Sequence, residues 1–244
     1  MSAVWHLIEG EEGCAYAVDH QCVAIVVDAL RASATAAMLL DAGALDILAV
    51  REIEDAVAAR RERPDALLFG ERGGLPPEGF DGGNSPREVS IARDRRVIFT
   101  TTTGAGRLVG VAGAFASYMG TTVNASAAVA AAASHHRDVV VIPAGLTGEP
   151  QWNAQEDWVA AVCIARMAGA PIGRGADRFD YWCERINREG LARLFETAPH
   201  AEKLRRIGLD ADIAYCAQVD ITRAVPRTVA RHSYGVILQR ACAV

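Results

Sequence analysis

No stretch of this 244-residue sequence reaches the roughly 18 consecutive apolar residues that a helix needs to cross a bilayer. The opening residues, MSAVWHLIEGEEG, lack the basic start and continuous apolar run of a secretion signal. Paired cysteines are missing as well. Cys14, Cys22, Cys163, Cys183, Cys216 and Cys242 are scattered without a Cys-x-x-Cys, which argues against a zinc site. These absences together predict a cytoplasmic chain with free thiols, mostly buried as small hydrophobes, and no membrane partner. There is also no surplus of positive charge, because 25 Lys and Arg face 30 Asp and Glu for a net charge of −5. That excludes nucleic-acid binding through a broad basic surface, but not a small anionic ligand gripped by a few local arginines. No Gly-Lys-Ser/Thr of a Walker loop occurs, and no Ser/His/Asp or Cys/His arrangement stands out. His135 and His136 close an alanine-rich helix, where a terminal cation is favourable, and read as structural.

What is present is an alternation of short apolar runs with amphipathic ones. Residues 22–28, CVAIVVD, form a valine-rich run typical of a strand buried on both faces. Further buried strands are expected at 45–50, 66–69, 96–101 and 139–143. Helices are expected between them at 32–42, 52–63, 104–114, 125–135 and 155–168. The rhythm predicts an α/β fold, layered α/β/α around a largely parallel or mixed sheet. Residues 1–170 form its main part. After a linker at 169–175, residues 171–244 are expected to add a smaller C-terminal α+β portion, a lobe or an extension packed on the first. Its helices fall at 177–196 and 200–209, followed by 212–218 and β-like runs at 224–229 and 234–239. A homodimer is the expected assembly for an enzyme of this size.

The densest information lies in 70–86, GERGGLPPEGFDGGNSP, which leaves the strand at 66–69. Its glycines let backbone amides approach a ligand, while Glu71, Arg72, Glu78 and Asp81 supply charge, so the loop reads as a site for an anion, a metal ion or both. Its far end, Ser85-Pro86-Arg87-Glu88, has the spacing of a capping box at a helix start. Three other strand ends are also decorated. Asp28 and Arg31 follow the first strand, as a metal and phosphate pair or as a helix cap with its partner. Thr101-Thr102-Thr103-Gly104-Ala105-Gly106-Arg107 reads as a phosphate cradle, although threonine also favours strands. After 139–143, Asn153 and Glu156 have capping-box spacing, and Asp157 adds a second acid that can complete a hard-cation site.

Taken together, Asp28-x-x-Arg31-Ala32-x-x-Thr35, Gly70-Glu71-Arg72-Gly73-Gly74, Gly79-Phe80-Asp81-x-Gly83-Asn84-Ser85-Pro86 and Thr101-Thr102-Thr103 resemble the 2-phosphosulfolactate phosphatase family. The likeness continues through Asn124, Ala144-Gly145, Glu156-Asp157, Asp210-x-Asp212, Cys216, Asp220 and Val225-Pro226. It implies Mg²⁺-dependent hydrolysis of a phosphate monoester on a sulfonated hydroxy acid, a step that in methanogens belongs to coenzyme M biosynthesis. On this reading Asp28, Glu71 and Asp81 are the candidate catalytic acids. Asp28, Glu156 and Asp157 would hold Mg²⁺, while Arg31, Arg72, Asn84, Thr102, Thr103 and Arg107 would bind phosphate and substrate. The family usually continues its threonine run as Thr-Thr-Thr-Asn-Gly-Thr-Arg, so at Gly104 and Gly106 this chain lacks an amide and a hydroxyl while keeping the arginine. Another phosphorylated hydroxy acid as substrate, or a non-catalytic phosphometabolite-binding protein on the same scaffold, are the alternatives.

Overall fold

The computed structural model describes residues 3–149 and 151–242, so the extreme ends of the two predicted portions lie outside the described residues. Its strands are β1 (Trp5–Leu7), β2 (Val23–Val27), β3 (Asp46–Val50), β4 (Leu67–Gly70), β5 (Arg96–Thr100), β6 (Ala116–Met119), β7 (Val139–Pro143), β8 (Pro226–His232) and β9 (Gly235–Arg240). Its α-helices are α1 (Gly10–Asp19), α2 (Ala32–Asp41), α3 (Ile53–Glu62), α4 (Gly104–Gly110), α5 (Ala125–Ala133), α6 (Gln155–Ala168), α7 (Ala176–Glu189), α8 (Leu191–Glu196), α9 (Pro199–Arg206) and α10 (Asp210–Cys216). No helix among the described residues is long and apolar enough to cross a membrane.

All strands join one mixed sheet in the order β1-β7-β2-β6-β8-β9-β3-β5-β4. The groups β1-β7-β2-β6 and β3-β5-β4 are each parallel, and the β8-β9 hairpin joins them through antiparallel pairings. The layered α/β architecture expected from the alternation is therefore present. Residues near the C-terminus occupy the middle of the sheet.

The apolar pattern explains the layering. Every residue of β2 is fully buried, as a strand covered on both faces requires. Val23, Ile25 and Val27 pack in one cluster with Ala128 of α5 and Trp158 and Val162 of α6. Ala24 and Val26 point the other way, into a cluster with Cys14 of α1, Leu39 of α2 and Leu108 of α4. That second cluster also contains Ile47, Ala49, Val97 and Phe99, so both parallel groups share a core around α2 and α4. Ala56 and Ala59 of α3 cover the opposite face of β3 and β5, against Leu48 and Ile98.

Several local expectations change. The helix expected over 177–196 breaks at Gly190, whose φ of +83° an L side chain rarely adopts, giving α7 and α8. The expected linker 169–175 instead runs along β1, with Trp5 N–H donating to Pro171 O and Leu7 N–H to Arg174 O, both at 2.9 Å. No helix begins at Ser85, where 85–88 is a turn closed by Glu88 N–H donating to Ser85 O. The capping box predicted at Asn153 is also absent, since α6 has Ala154 at its N-cap and no side-chain cap. Both motifs have the right spacing, but Ser85 Oγ donates to Asp212 and Glu156 accepts from His200 instead.

Candidate functional site

Two carboxylates stitch neighbouring strand ends together. Asp157, in the first turn of α6, accepts from Ala29 N–H on Oδ1 (2.8 Å) and Gly145 N–H on Oδ2 (3.0 Å), tying the end of β2 to the end of β7. Glu71, just after β4, accepts from Thr102 N–H beyond β5 at 2.7 Å and from Gly74 N–H at 2.8 Å. Thr102 Oγ1 also donates to it. Between them stands Asp28, which follows β2. Its Oδ1 accepts from Ala32 N–H at the start of α2, and its Oδ2 has no hydrogen-bond partner among the described residues. The local capping role expected for Asp28 is thus real and occupies only one of its oxygens.

These strand ends surround a cavity of about 120 Å³. Its lining includes Asp28, Arg31, Glu71, Asn84, Thr102, Thr103, Asp157, His200 and Lys203. Glu156 adjoins it by accepting a hydrogen bond from His200 Nδ1 at 3.3 Å. Three further residues read as site candidates also lie off the lining. Asp81 accepts from Leu68 N–H at 2.7 Å and from Arg60 Nη1 at 3.0 Å, so it fastens the returning loop to β4. Arg72 donates to the carbonyls of Glu71 and Arg51 and to Thr100 Oγ1, which binds its guanidinium into the loop base. Arg107 donates to Ala144 O and Glu11 Oε1, bridging α4 to the end of β7 and to α1. Arg31 does reach the cavity, although it is engaged by Asp212 (2.6 Å) and by Gly74 O (2.7 Å).

His200 and Lys203 of α9 and Trp152 complete the lining, and none of them was singled out from the sequence. They sit in a charged amphipathic helix and an irregular loop, with no motif spacing to mark them. Asp212 was visible only through the resemblance.

The acids repel one another. Burial chiefly raises Asp28, to about 6; His200 and the Ala32 amide oppose the rise, while Glu71 and Glu156 add to it. Burial, followed by the charges of Glu156 and Asp28, pushes Asp157 well above the usual carboxylate range. Burial pulls His200 down, but its hydrogen bond to Glu156 and the charges of Glu156, Asp28 and Glu71 outweigh this and raise it. Two buried oxygens near these acids, Glu156 Oε2 and Asn84 Oδ1, have no hydrogen-bond partner among the described residues. Hard oxygen donors, crowded negative charge and orphaned acceptors are the chemistry a divalent cation such as Mg²⁺ satisfies. Among the described residues, no three His, Cys, Asp or Glu side chains form a ready ligand set, so the donors fit in kind without being closed into a cage.

The family departure at Gly104 has a direct spatial meaning. A Cβ built there would lie 2.6 Å from Asp28 Oδ2 and 2.7 Å from Ala32 Cβ. Gly104→Ala must therefore displace Asp28 or α2. It is expected to cost about 1–3 kcal/mol, read by urea denaturation, and to disturb any activity that depends on Asp28. Unchanged stability and activity would show that the contact relaxes freely.

Comparison with known proteins identifies the family. The family model described as 2-phosphosulpholactate phosphatase matches residues 11–231. A relative from Deinococcus radiodurans is 37% identical over 215 residues, covering 85% of this chain and 88% of its own. One from Pseudothermotoga lettingae is 33% identical over 209 residues, covering 86% and 90%. One from Gloeobacter violaceus is 33% identical over 225 residues, covering 88% and 91%. All three are named probable 2-phosphosulfolactate phosphatase. The matched span runs from α1 into β8 and takes in every strand end that lines the cavity, so the chain belongs to the 2-phosphosulpholactate phosphatase family.

Proposed function

We propose that this protein is a cytoplasmic, Mg²⁺-dependent phosphatase that hydrolyses 2-phosphosulfolactate to sulfolactate and phosphate. The observation that carries the reading is the convergence of Asp28, Glu71, Asp157 and His200 on one cavity, with Glu156 behind His200. Asp28, Glu156 and Asp157 would hold the metal, with Asn84 Oδ1 as a further oxygen donor. Bound there, Mg²⁺ would neutralise charge developing on the phosphoryl oxygens.

The chain's own groups have distinct tasks. Asp28, held through Oδ1, keeps Oδ2 free to attack the phosphorus or to orient the attacking water. His200 lines the same cavity as the acids and can donate a proton to the departing alkoxide, while its hydrogen bond to Glu156 keeps the ring oriented. Thr102, Thr103 and Asn84 line the space where phosphoryl oxygens would lie. Glu71 and Asp157 keep the strand ends in register and so fix the distance between these groups.

Phosphate release from 2-phosphosulfolactate, 3-phosphoglycerate and an aryl phosphate tests the reading. Turnover of 2-phosphosulfolactate is expected to exceed that of the others, to fall to background with EDTA and to return with Mg²⁺. Full activity after chelation would remove the metal. No release from any of the three with Mg²⁺ present would favour a protein that only binds phosphorylated metabolites.

A further inference from the structure

The cavity gathers residues from separate elements: Asp28 and Glu71 follow β2 and β4, Asp157 comes from α6, and His200 and Lys203 come from α9. Most other cations read as anion grips are already committed. Arg72 and Arg107 are bound by loop oxygens, and Arg31 is neutralised by Asp212. Lys203 has no ion-pair partner among the described residues, and its ammonium lies 4.0 Å from the centre of the Trp152 ring. Lys203 is also the only lysine in the chain. An ammonium steadied on an aromatic face is a compact, rotatable donor of three hydrogen bonds, suited to a tetrahedral anion.

A substrate whose phosphate lies against Asp28, Thr102 and Thr103 still has further negative charge to satisfy, and Lys203 is the lining cation that no described carboxylate pairs with. In a 2-phospho-3-sulfo hydroxy acid the carboxylate shares a carbon with the phosphate, whereas the sulfonate sits one carbon further out, within the scope of a separate cation. We propose that Lys203, positioned by Trp152, is the specificity residue that binds the sulfonate. The inference rests on the phosphatase reading and assigns the group that distinguishes this substrate from simpler phosphomonoesters.

Kinetics of Lys203→Met and Lys203→Arg on 2-phosphosulfolactate, 2-phospholactate and phenyl phosphate test it. Lys203→Met is expected to lower kcat/KM for 2-phosphosulfolactate about 10- to 100-fold more than for the two substrates without a sulfonate, chiefly through KM, and Lys203→Arg to recover most of the loss. An equal loss on all three substrates, or none, would overturn the proposal while leaving the phosphatase reading intact. The single lysine permits a second measurement that needs no turnover. After reductive ¹³C-methylation of the whole protein, the dimethyl-lysine NMR signal is expected to shift with 3-sulfolactate but not with lactate. If the wild type hydrolyses nothing, the phosphatase reading fails and this signal still decides the subsite. A signal that ignores 3-sulfolactate would overturn it.

Discussion

Asp28→Asn is expected to abolish turnover and, in metal-free protein above about pH 6, to make the fold more stable. The loss of activity follows from removing a carboxylate that lines the cavity and keeps Oδ2 without a partner among the described residues, and should be on the order of 10³-fold or more in kcat. The gain in stability follows from the same burial. Asp28 is raised from 3.8 to about 6, so the folded state holds its proton to higher pH than the unfolded chain does. Below pH 4 both states are protonated and the group costs nothing. Between pH 4 and 6 the unfolded state ionises first, stability falls as pH rises, and above pH 6 the penalty is fully present. At about 1.4 kcal/mol per unit this gives an upper bound near 3 kcal/mol, and a gain of about 1–3 kcal/mol is expected from the neutral isostere. Because Asn keeps the acceptor for Ala32 N–H, the fold loses no hydrogen bond. Urea denaturation at pH 5 and pH 8 in EDTA, beside single-turnover kinetics, checks both halves. Undiminished turnover would exclude Asp28 as the acting carboxylate, and an equal effect at both pH values would show that its burial carries no such penalty. Added Mg²⁺ should stabilise the wild type more than the variant, since a ligand of the folded state acts by mass action.

The second large effect is expected at Asp212→Asn. Asp212 and Arg31 are 1% and 2% exposed and meet at 2.6 Å. Ser85 Oγ donates to the other carboxylate oxygen at 2.8 Å, and Arg31 also donates to Gly74 O. One buried pair thus fastens both ends of the glycine-rich loop to α2 and α10. Neutralising Asp212 strands the Arg31 guanidinium in the interior, which typically costs 3–5 kcal/mol, or about 10 °C in Tm for a chain this size. The paired change Arg31→Met with Asp212→Leu should cost less than Asp212→Asn alone, because no uncompensated charge remains. KM should rise in all variants, since Glu71 and Asn84 ride on the same loop. Thermal and urea unfolding of the three variants decide the matter, and a loss below 1 kcal/mol for Asp212→Asn would mean that water reaches the pair.

The local elements written most clearly in the sequence are those whose stability is itself local or symmetric. β2 and β7 are nearly pure apolar runs buried on both faces, and α6 has a long apolar surface, so composition alone locates them. β1 and β6 span three and four residues, and β6 carries Ser117 and Tyr118, so no period was long enough to reveal them. The place of β8 and β9 in the sheet was equally hidden, because pairing across nearly the whole chain leaves no trace in local pattern. The site divides in the same way. Asp28, Glu71, Asn84, Thr102, Thr103 and Asp157 lie in unusual stretches at strand ends and line the cavity. Asp81, Arg72 and Arg107 lie in the same stretches but are turned into structural hydrogen bonds.

By itself, then, the sequence determined the alternating α/β elements and the strand ends where chemistry concentrates, because burial period and backbone freedom are short-range properties. Its motifs also carried the family resemblance. Only the tertiary structure decided which charges are spent on holding loops and which remain available. It alone brought His200 and Lys203 of α9 to the cavity lined by Asp28, and His200 to Glu156 of α6, because those groups meet through packing between elements far apart in the chain.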